Sequence, residues 1–147
     1  FMKVLIQRVL TANVMVDGNE VASINKGYLA LVGIEKGDNK SMAEYLAKKT
    51  ANLRIFEDEN GKMNLSVLDV KGQILAVSQF TLAGNTSCGN RPGFDTAEKP
   101  EIAKSLYEYF VDCLKSYAID VKCGIFQADM KVGLINDGPV TFMLERR

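Results

Sequence analysis

The sequence predicts a single compact α/β domain in which mixed and antiparallel β-sheets form a barrel-like core, with two main helices packed on one side. Two observations favour this class. The 147 residues fit one domain that is large enough to bury a core without staples. The apolar pattern reads as strands, helix, strands, helix and strands, which indicates helices against a sheet rather than a regular βαβ winding.

The first third of the chain is predicted to form β-strands. β-branched residues are frequent at 4–9 and 13–16, and Asp17-Gly18 is typical of a two-residue hairpin turn. The apolar run Tyr28–Ile34 is nearly unbroken, which is typical of a strand that is covered on both faces.

Two later segments have a helical period. In the first, the cap is Asp38 or Asn39, and the buried stripe is predicted to be Met42, Leu46, Thr50 and Leu53. The second helix is predicted to follow Asp95 or Thr96, with Pro100 tolerated near its first turn. Its predicted inward face is Ile102, Leu106, Tyr109, Phe110, Cys113 and Tyr117.

The remaining segments are predicted to be strands. A hairpin joins Ile55-Phe56 to Leu65–Val67 through the turn Glu59-Asn60-Gly61, and a long strand covers Gln73–Leu82. Three closing strands are predicted at Val121–Phe126, Met130–Ile135 and Val140–Leu144.

The composition excludes several function classes. The chain has no histidine, so Ser-His-Asp and Cys-His hydrolysis and imidazole-based zinc sites cannot form within it. The 18 basic and 18 acidic residues balance, which argues against a protein that binds nucleic acid by neutralising many phosphates. The 3 cysteines contain no C-x-x-C spacing. We therefore expect a protein that binds no metal and no cofactor and that is located in the reducing cytoplasm.

We expect the apolar N-terminal segment not to be a signal peptide. The apolar opening is interrupted by Gln7 and Arg8, and no run approaches the length of a membrane span. We expect no membrane association. Because Met2 has the position of an initiator, we expect the domain to cover 2–147 and Phe1 to be foreign to it.

The segment Ala76–Phe94 is rich in polar residues, and Arg91 is its only charged residue. A strand through this segment would place Ser78 and Phe80 on one face and Gln79 and Thr81 on the other. The glycines that follow would then let backbone N–H groups turn toward a ligand. Two interpretations stay open: a binding site, or a polar strand end with its loop.

The segment Asn136–Phe142 also has two interpretations. Its Asn, Asp, Gly and Pro residues are typical of a hairpin turn. Alternatively, Gly138-Pro139 is a stiff tip that presents two backbone carbonyls, which an X-Pro bond in the cis form would re-aim.

Both segments resemble the D-aminoacyl-tRNA deacylase family, also called the D-tyrosyl-tRNA deacylase family. The matching motifs are "SQFTL" at Ser78–Leu82, "NDGPVT" at Asn136–Thr141, "IQRV" at Ile6–Val9, the "RIFED" to "GKMNLSV" hairpin, and "ADM" at Ala128–Met130. The resemblance runs in order from Met2 to about Leu144.

The resemblance implies a homodimer that hydrolyses the ester between a D-amino acid and the 3′ end of tRNA. Glycyl-tRNA(Ala) is also implied as a substrate, because glycine has no side chain to reject. In the family, the tip that matches Gly138-Pro139 has a cis bond and reaches into the partner's pocket, where it excludes L side chains. Arg8 matches the residue that braces this tip.

The resemblance also implies roles for the two other segments. Ser78, Gln79, Phe80 and Thr81 match the catalytic strand, in which the Phe80 backbone holds the substrate and Thr81 lies close to the ester. Phe126, Ala128 and Met130 match the wall on the adenosine side. Gln127 and Cys88 depart from the usual pattern, so the local tRNA contacts are expected to differ there.

The residues restrict the mechanism further. Backbone N–H groups near Phe80 and Thr81 can stabilise an oxyanion without titrating. Thr81 as a covalent nucleophile would need a base, and the motif offers neither histidine nor an obvious lysine. We therefore favour assistance by the 2′-hydroxyl of the terminal ribose. The alternatives are a non-catalytic RNA- or nucleotide-binding homodimer and a structural interaction domain.

Overall fold

A computed structural model describes residues 1–147 and has a single α/β domain built on a curled, mixed six-stranded sheet, as predicted. The elements are β1 (Met2–Val16), β2 (Asn19–Ile24), β3 (Gly27–Gly33), α1 (Lys40–Asn52), β4 (Phe56–Glu57), β5 (Met63–Leu65), β6 (Gln73–Ser78), α2 (Pro100–Lys115), β7 (Asp120–Cys123) and β8 (Lys131–Arg146). A 3₁₀ turn, Phe80–Ala83, follows β6. Neither α-helix has the length and apolar character that crossing a membrane requires.

The long strand β1 organises the sheet. It pairs antiparallel with β8 along nearly its whole length, and on its other side with β3 and then with β2. The strands β3, β6 and β7 are parallel to one another, with Tyr28 opposite Ile74 and Ile74 opposite Val121. The carboxyl ends of these three strands therefore lie together at one edge of the sheet.

Each face of the sheet has its own core. The helices cover the larger one, a cluster of 24 buried residues that includes Tyr28, Leu46 and Phe110. A cluster of 7 buried residues, including Leu29 and Leu75, lies on the opposite face. Because neighbouring side chains in a strand point to opposite faces, β3 contributes to both clusters, as its unbroken apolar run predicts.

The local signals at the first turn and the first helix are confirmed. Asp17 and Gly18 both have positive φ, 50° and 78°, as a two-residue hairpin of this type requires. Asn39 caps α1, because its Oδ1 accepts the Met42 N–H at 3.0 Å. The other candidate cap, Asp38, instead accepts the backbone N–H of Glu35 at 2.7 Å.

The start and inward face of α2 differ from the prediction. The helix begins at Pro100, because the preceding backbone is engaged with the end of β3: the Lys36 N–H donates to Thr96 O at 2.8 Å, and the Glu98 N–H donates to Ile34 O at 3.2 Å. The buried residues are Leu106, Tyr107, Phe110, Val111 and Leu114. Ile102 is 49% exposed, and the first turn of α2 borders the cavity through Pro100 and Ala103 instead.

The hairpin interpretation of 136–142 is wrong. Both predicted strands around it belong to the single strand β8, and both pair with β1: Asn136 lies opposite Val9, and Thr141 lies opposite Gln7. Only Arg8 of β1 therefore faces residues 137–140 of β8. The turn-forming residues build a bulge that leaves the sheet and returns to it, which we call the tip (residues 137–140).

Two other strands are shorter than predicted. β6 ends at Ser78, where its pairing with β3 ends, and the chain continues as the 3₁₀ turn. β7 ends at Cys123, so Phe126 lies in the connection to β8. The apolar pattern continues past both strand ends, but the pairing does not: the last pairs are Val32 with Ser78 and Ala76 with Cys123.

Candidate active site

A cavity of about 590 Å³ lies at the edge where β3, β6 and β7 end. Its lining includes Ile34 after β3, Ser78 at the end of β6, and Pro100 and Ala103 in the first turn of α2. The carboxyl ends of parallel strands are a common place for ligand sites in α/β sheets. The contribution of α2 to this lining was not predicted from the sequence, in which Pro100 was only recognised as tolerated near the first turn of the helix.

Six of the residues predicted for the site line this cavity together: Ser78, Gln79, Phe80, Phe126, Ala128 and Met130. Because β6 ends at Ser78, the expected alternation of faces does not apply, and Ser78, Gln79 and Phe80 all border the cavity. Thr81 is exposed and outside the lining, and its hydroxyl accepts a hydrogen bond from the Gln79 side-chain amide.

The 3₁₀ turn, whose first residue Phe80 borders the cavity, has backbone donors without a partner in the turn. Its first hydrogen bond runs from the Leu82 N–H to Gln79 O at 3.3 Å, and the Gly84 N–H donates to Thr81 O at 3.0 Å. The N–H groups of Phe80 and Thr81 precede the first of these bonds, so they have no acceptor within the turn. Such fixed donors can stabilise a negatively charged oxygen.

The 3₁₀ turn is held against β3 by a close approach. A Cβ on Gly33 would lie 2.8 Å from the Leu82 Cβ and 3.3 Å from Gln79 O. In addition, the Lys3 ammonium donates to Leu82 O at 3.3 Å and pairs with the Glu35 carboxylate at 3.3 Å. These contacts fix the position of the donors.

The opposite wall is formed by the connection between β7 and β8. The Phe126 ring packs against Tyr107, with the ring centroids 6.2 Å apart, and the Tyr107 hydroxyl donates to Ala76 O at 2.8 Å. Burial, and secondarily the nearby Cys123, raises the pKa of Tyr107 well above its ordinary value, so its hydroxyl remains a neutral donor. Met130 fills the space above Gly124, where a Cβ would lie 2.6 Å from its sulfur.

The cavity has few groups that titrate. Its charged lining residues are Glu98 and Asp129. Glu98 accepts the Lys99 N–H at 2.8 Å, and Asp129 pairs with Lys131 at 2.9 Å. No cluster of three or more His, Cys, Asp or Glu residues could hold a metal ion. The site therefore provides mainly shape and hydrogen-bond donors.

The three other predicted site residues, Arg8, Gly138 and Pro139, do not line the cavity. The Gly138-Pro139 bond is cis. Arg8 is buried opposite the tip, where its Nε donates to Asp137 O at 3.0 Å and its Nη1 to Ile55 O at 2.7 Å. Arg8 thus contacts the tip, and the tip lies apart from the cavity of the same chain.

The comparison with protein families decides the identity. The family model of D-Tyr-tRNA(Tyr) deacylase matches residues 5–145. The chain belongs to this family. It is 62% identical over 144 residues to the D-aminoacyl-tRNA deacylase of Geotalea daltonii, covering 98% of this chain and 96% of the relative. It is 59% identical over 146 residues to that of Geobacter sulfurreducens, covering 99% and 96%.

Solved structures agree with the deacylase family fold. The structure of the "c-Myc DNA Unwinding Element Binding Protein" is similar at a TM-score of 0.93 and 40% identity, with 99% of each chain covered. A structure described as "Structural Analysis of a probable eukaryotic D-amino acid tRNA deacylase" has a TM-score of 0.83 at 15% identity, with 97% of this chain and 98% of the other covered, and supports the fold alone. The identification from motifs and the predicted enzyme class are confirmed.

The close approach at Gly33 predicts a stability effect. We expect Gly33→Ala to lower the free energy of unfolding by about 1–3 kcal/mol, because the added methyl overpacks against Leu82. Gly93→Ala is the control, since its Cβ would meet only Asn85 O at 4.0 Å. Denaturant unfolding measures both, and equal midpoints would show that the 3₁₀ turn does not pack closely on β3.

Proposed function

We propose that this chain hydrolyses the ester bond of D-aminoacyl-tRNA in the cytoplasm and releases the free D-amino acid and tRNA. The observation that carries this proposal is the cavity in which the Ser78–Phe80 segment faces Phe126, Ala128 and Met130, in a chain of the deacylase family. Its volume of about 590 Å³ is within the range of small-molecule sites. The aminoacylated terminal adenosine is the part of tRNA that would enter it.

In this proposal the chain acts mainly through its backbone. The apolar wall around Phe126 and Met130 receives the adenosine, and the ester lies against the 3₁₀ turn. The N–H groups of Phe80 and Thr81 then donate to the oxyanion that develops on the ester carbonyl. One such donor contributes about 10²–10³ in rate, and it needs no particular pH to do so.

Activation of the water is proposed to involve the RNA. The Thr81 hydroxyl is held by the Gln79 amide, and neither of the two charged residues of the cavity contacts it. An aminoacyl ester has a 2′-hydroxyl directly beside the reacting bond. We propose that this hydroxyl, rather than a side chain, assists the proton transfer.

The tip is proposed to complete the site of a second protomer. β8 pairs with β1 on one edge only, and the strand exposes Ile135, Phe142 and Met143, at 56%, 41% and 44%. A long exposed edge strand with apolar side chains is a surface that proteins usually cover. We propose a homodimer formed along this strand, with Gly138-Pro139 of one protomer reaching the cavity of its partner.

Such a dimer would select chirality by steric exclusion. A poorer fit changes a rate by only about 10–200-fold per methylene, too little to protect the large excess of correct L-aminoacyl-tRNA. Rigid tip carbonyls in the cavity would leave no room for an L side chain. Glycyl-tRNA(Ala) would be accepted, because glycine presents no side chain to the tip.

A deacylation assay tests the function. With matched D-tyrosyl-tRNA and L-tyrosyl-tRNA, we expect hydrolysis of the D ester to exceed that of the L ester by more than the roughly 200-fold that fit alone provides. Binding of both without turnover would support the alternative, a non-catalytic RNA-binding homodimer. Neither binding nor turnover would support a structural interaction domain.

The role of the RNA hydroxyl is tested by changing substrate and enzyme separately. A substrate that ends in 2′-deoxyadenosine should react at least about 10²-fold more slowly, the usual contribution of a positioned proton-transfer group. Thr81→Ala should keep much of its turnover. Full activity on the deoxy substrate, or an acyl-enzyme trapped on Thr81, would contradict this mechanism.

The tip is tested with two glycine variants. We expect Gly138→Ala to lose D-ester hydrolysis or to admit L esters, because its Cβ would lie 2.6 Å from Val140 Cγ2 and 3.3 Å from Arg8 Nη2. Gly18→Ala is the control, because this glycine also has a positive φ, 78°, but a Cβ there would meet nothing within 4 Å. Unchanged rate and chirality in Gly138→Ala would remove the tip from the site.

A further inference from the structure

The loop that follows the 3₁₀ turn is closed at its base by hydrogen bonds, and the proposed chemistry does not use it. Asn85 and Gly93 exchange two backbone hydrogen bonds, at 2.7 and 2.9 Å, which close the loop at its base. The Asn85 side chain accepts hydrogen bonds from the Ser87 N–H and hydroxyl, at 2.9 and 2.7 Å. We call residues 85–93 the closed loop.

Two aromatic rings flank the 3₁₀ turn and the closed loop in the sequence, since Phe80 begins the turn and Phe94 follows the loop. Phe80 and Phe94 pack together with ring centroids 5.2 Å apart and an angle of 57° between the planes, yet they are 59% and 38% exposed. Gly84 makes room for this pair, since a Cβ there would lie 3.2 Å from the Phe94 ring. Phe80 also lines the cavity, so the exposed pair is continuous with the proposed site.

The closed loop has one charge available for a ligand. Arg91 is the only charged residue between Lys71 and Asp95. It is exposed and makes no salt bridge or side-chain hydrogen bond within the chain. Arg91 lies three residues before Phe94 in the sequence. A free guanidinium on the closed loop and an exposed aromatic pair at its end are suited to one phosphate and one base, because arginine pairs with phosphate and bases stack on aromatic rings.

We propose that this surface binds the unpaired nucleotide that precedes the terminal adenosine of the tRNA. Its base stacks on the pair formed by Phe94 and Phe80, and its phosphate pairs with Arg91. This inference rests on the proposed function, because it requires the terminal adenosine to occupy the cavity that Phe80 borders. Stacking of unpaired bases on aromatic side chains is the usual way in which proteins hold single-stranded RNA.

Two substrates separate this surface from the cavity. Aminoacylated D-tyrosyl-tRNA includes the preceding nucleotide, whereas 3′-O-(D-tyrosyl)adenosine ends at the nucleoside in the cavity. We expect Phe94→Leu to lower kcat/KM for the tRNA by at least about five-fold, the lower value for loss of one stacked base. The loss should appear in KM and be confined to the tRNA substrate.

Three further variants sharpen the test. Phe94→Trp keeps an aromatic surface and should retain the affinity for tRNA. Tyr45→Leu removes an exposed ring on α1, away from this surface, and should leave kcat/KM unchanged for both substrates. Arg91→Ala should make the slope of log kcat/KM against log salt concentration for tRNA shallower by about 0.7, the value for one single-strand phosphate contact. The adenosine ester should show no such change with Arg91→Ala.

Specific results would overturn the inference. An equal loss of kcat/KM on both substrates in Phe94→Leu would show that Phe94 only supports the conformation of the Ser78–Thr81 segment. Loss of the dimer in Phe94→Leu, measured by light scattering, would assign the aromatic pair to the subunit interface. An unchanged KM for tRNA would also refute it. If the unmodified protein hydrolyses neither substrate, the proposed function itself fails.

Discussion

The pairing of β1 with β8 is the interaction on which the rest of the structure depends. β1 joins β8 on one side to β2 and β3 on the other, and β3 leads through β6 to β7. The ladder between β1 and β8 shifts register twice, once at Arg8, which faces the tip, and once at Leu10. The freed carbonyl of Asp137 is not left without a partner, because the buried guanidinium of Arg8 donates to it. One interruption in a long ladder thus produces both the tip and its brace.

The absence of histidine agrees with the architecture of the cavity. Three parallel strands end together and place a 3₁₀ turn beside a wall of mostly apolar side chains, so fixed N–H groups are available without any basic side chain. Gly33 and Lys3 fix the 3₁₀ turn, which matters because a donor acts on an oxyanion only from a defined position. For an activated ester, position is the larger requirement, and the proposed substrate has its own hydroxyl.

Local patterns failed where a distant partner decides the conformation. The residues of 136–142 are turn formers, and they do bend the chain, but β1 pairs with the strand on both sides of the bend and turns a hairpin into a bulge. The strand predicted to reach Leu82 stops at Ser78, because the chain then forms the 3₁₀ turn, in which Leu82 packs on Gly33 of β3. Ile102 has the spacing of a core residue, yet it is exposed, and the first turn of α2 faces the cavity through Pro100 and Ala103. Each of these errors depends on which part of the structure lies next to a residue, and the hydrophobic periodicity of the sequence carries no information about that.

The sequence by itself determined the α/β class, both helices, the family, and the residue types of the site, since these follow from local periodicity and from two uncommon motifs. It left the cap of α1 open between Asp38 and Asn39. The resemblance already implied one pocket for the Ser78–Thr81 segment and Phe126, Ala128 and Met130. Only the tertiary structure decided that Thr81 lies outside the lining, that α2 forms part of the wall, and that Gly138-Pro139 stands apart from the cavity. The physical reason is that hydrogen-bond register between strands far apart in sequence sets these distances, and register is a property of the assembled sheet.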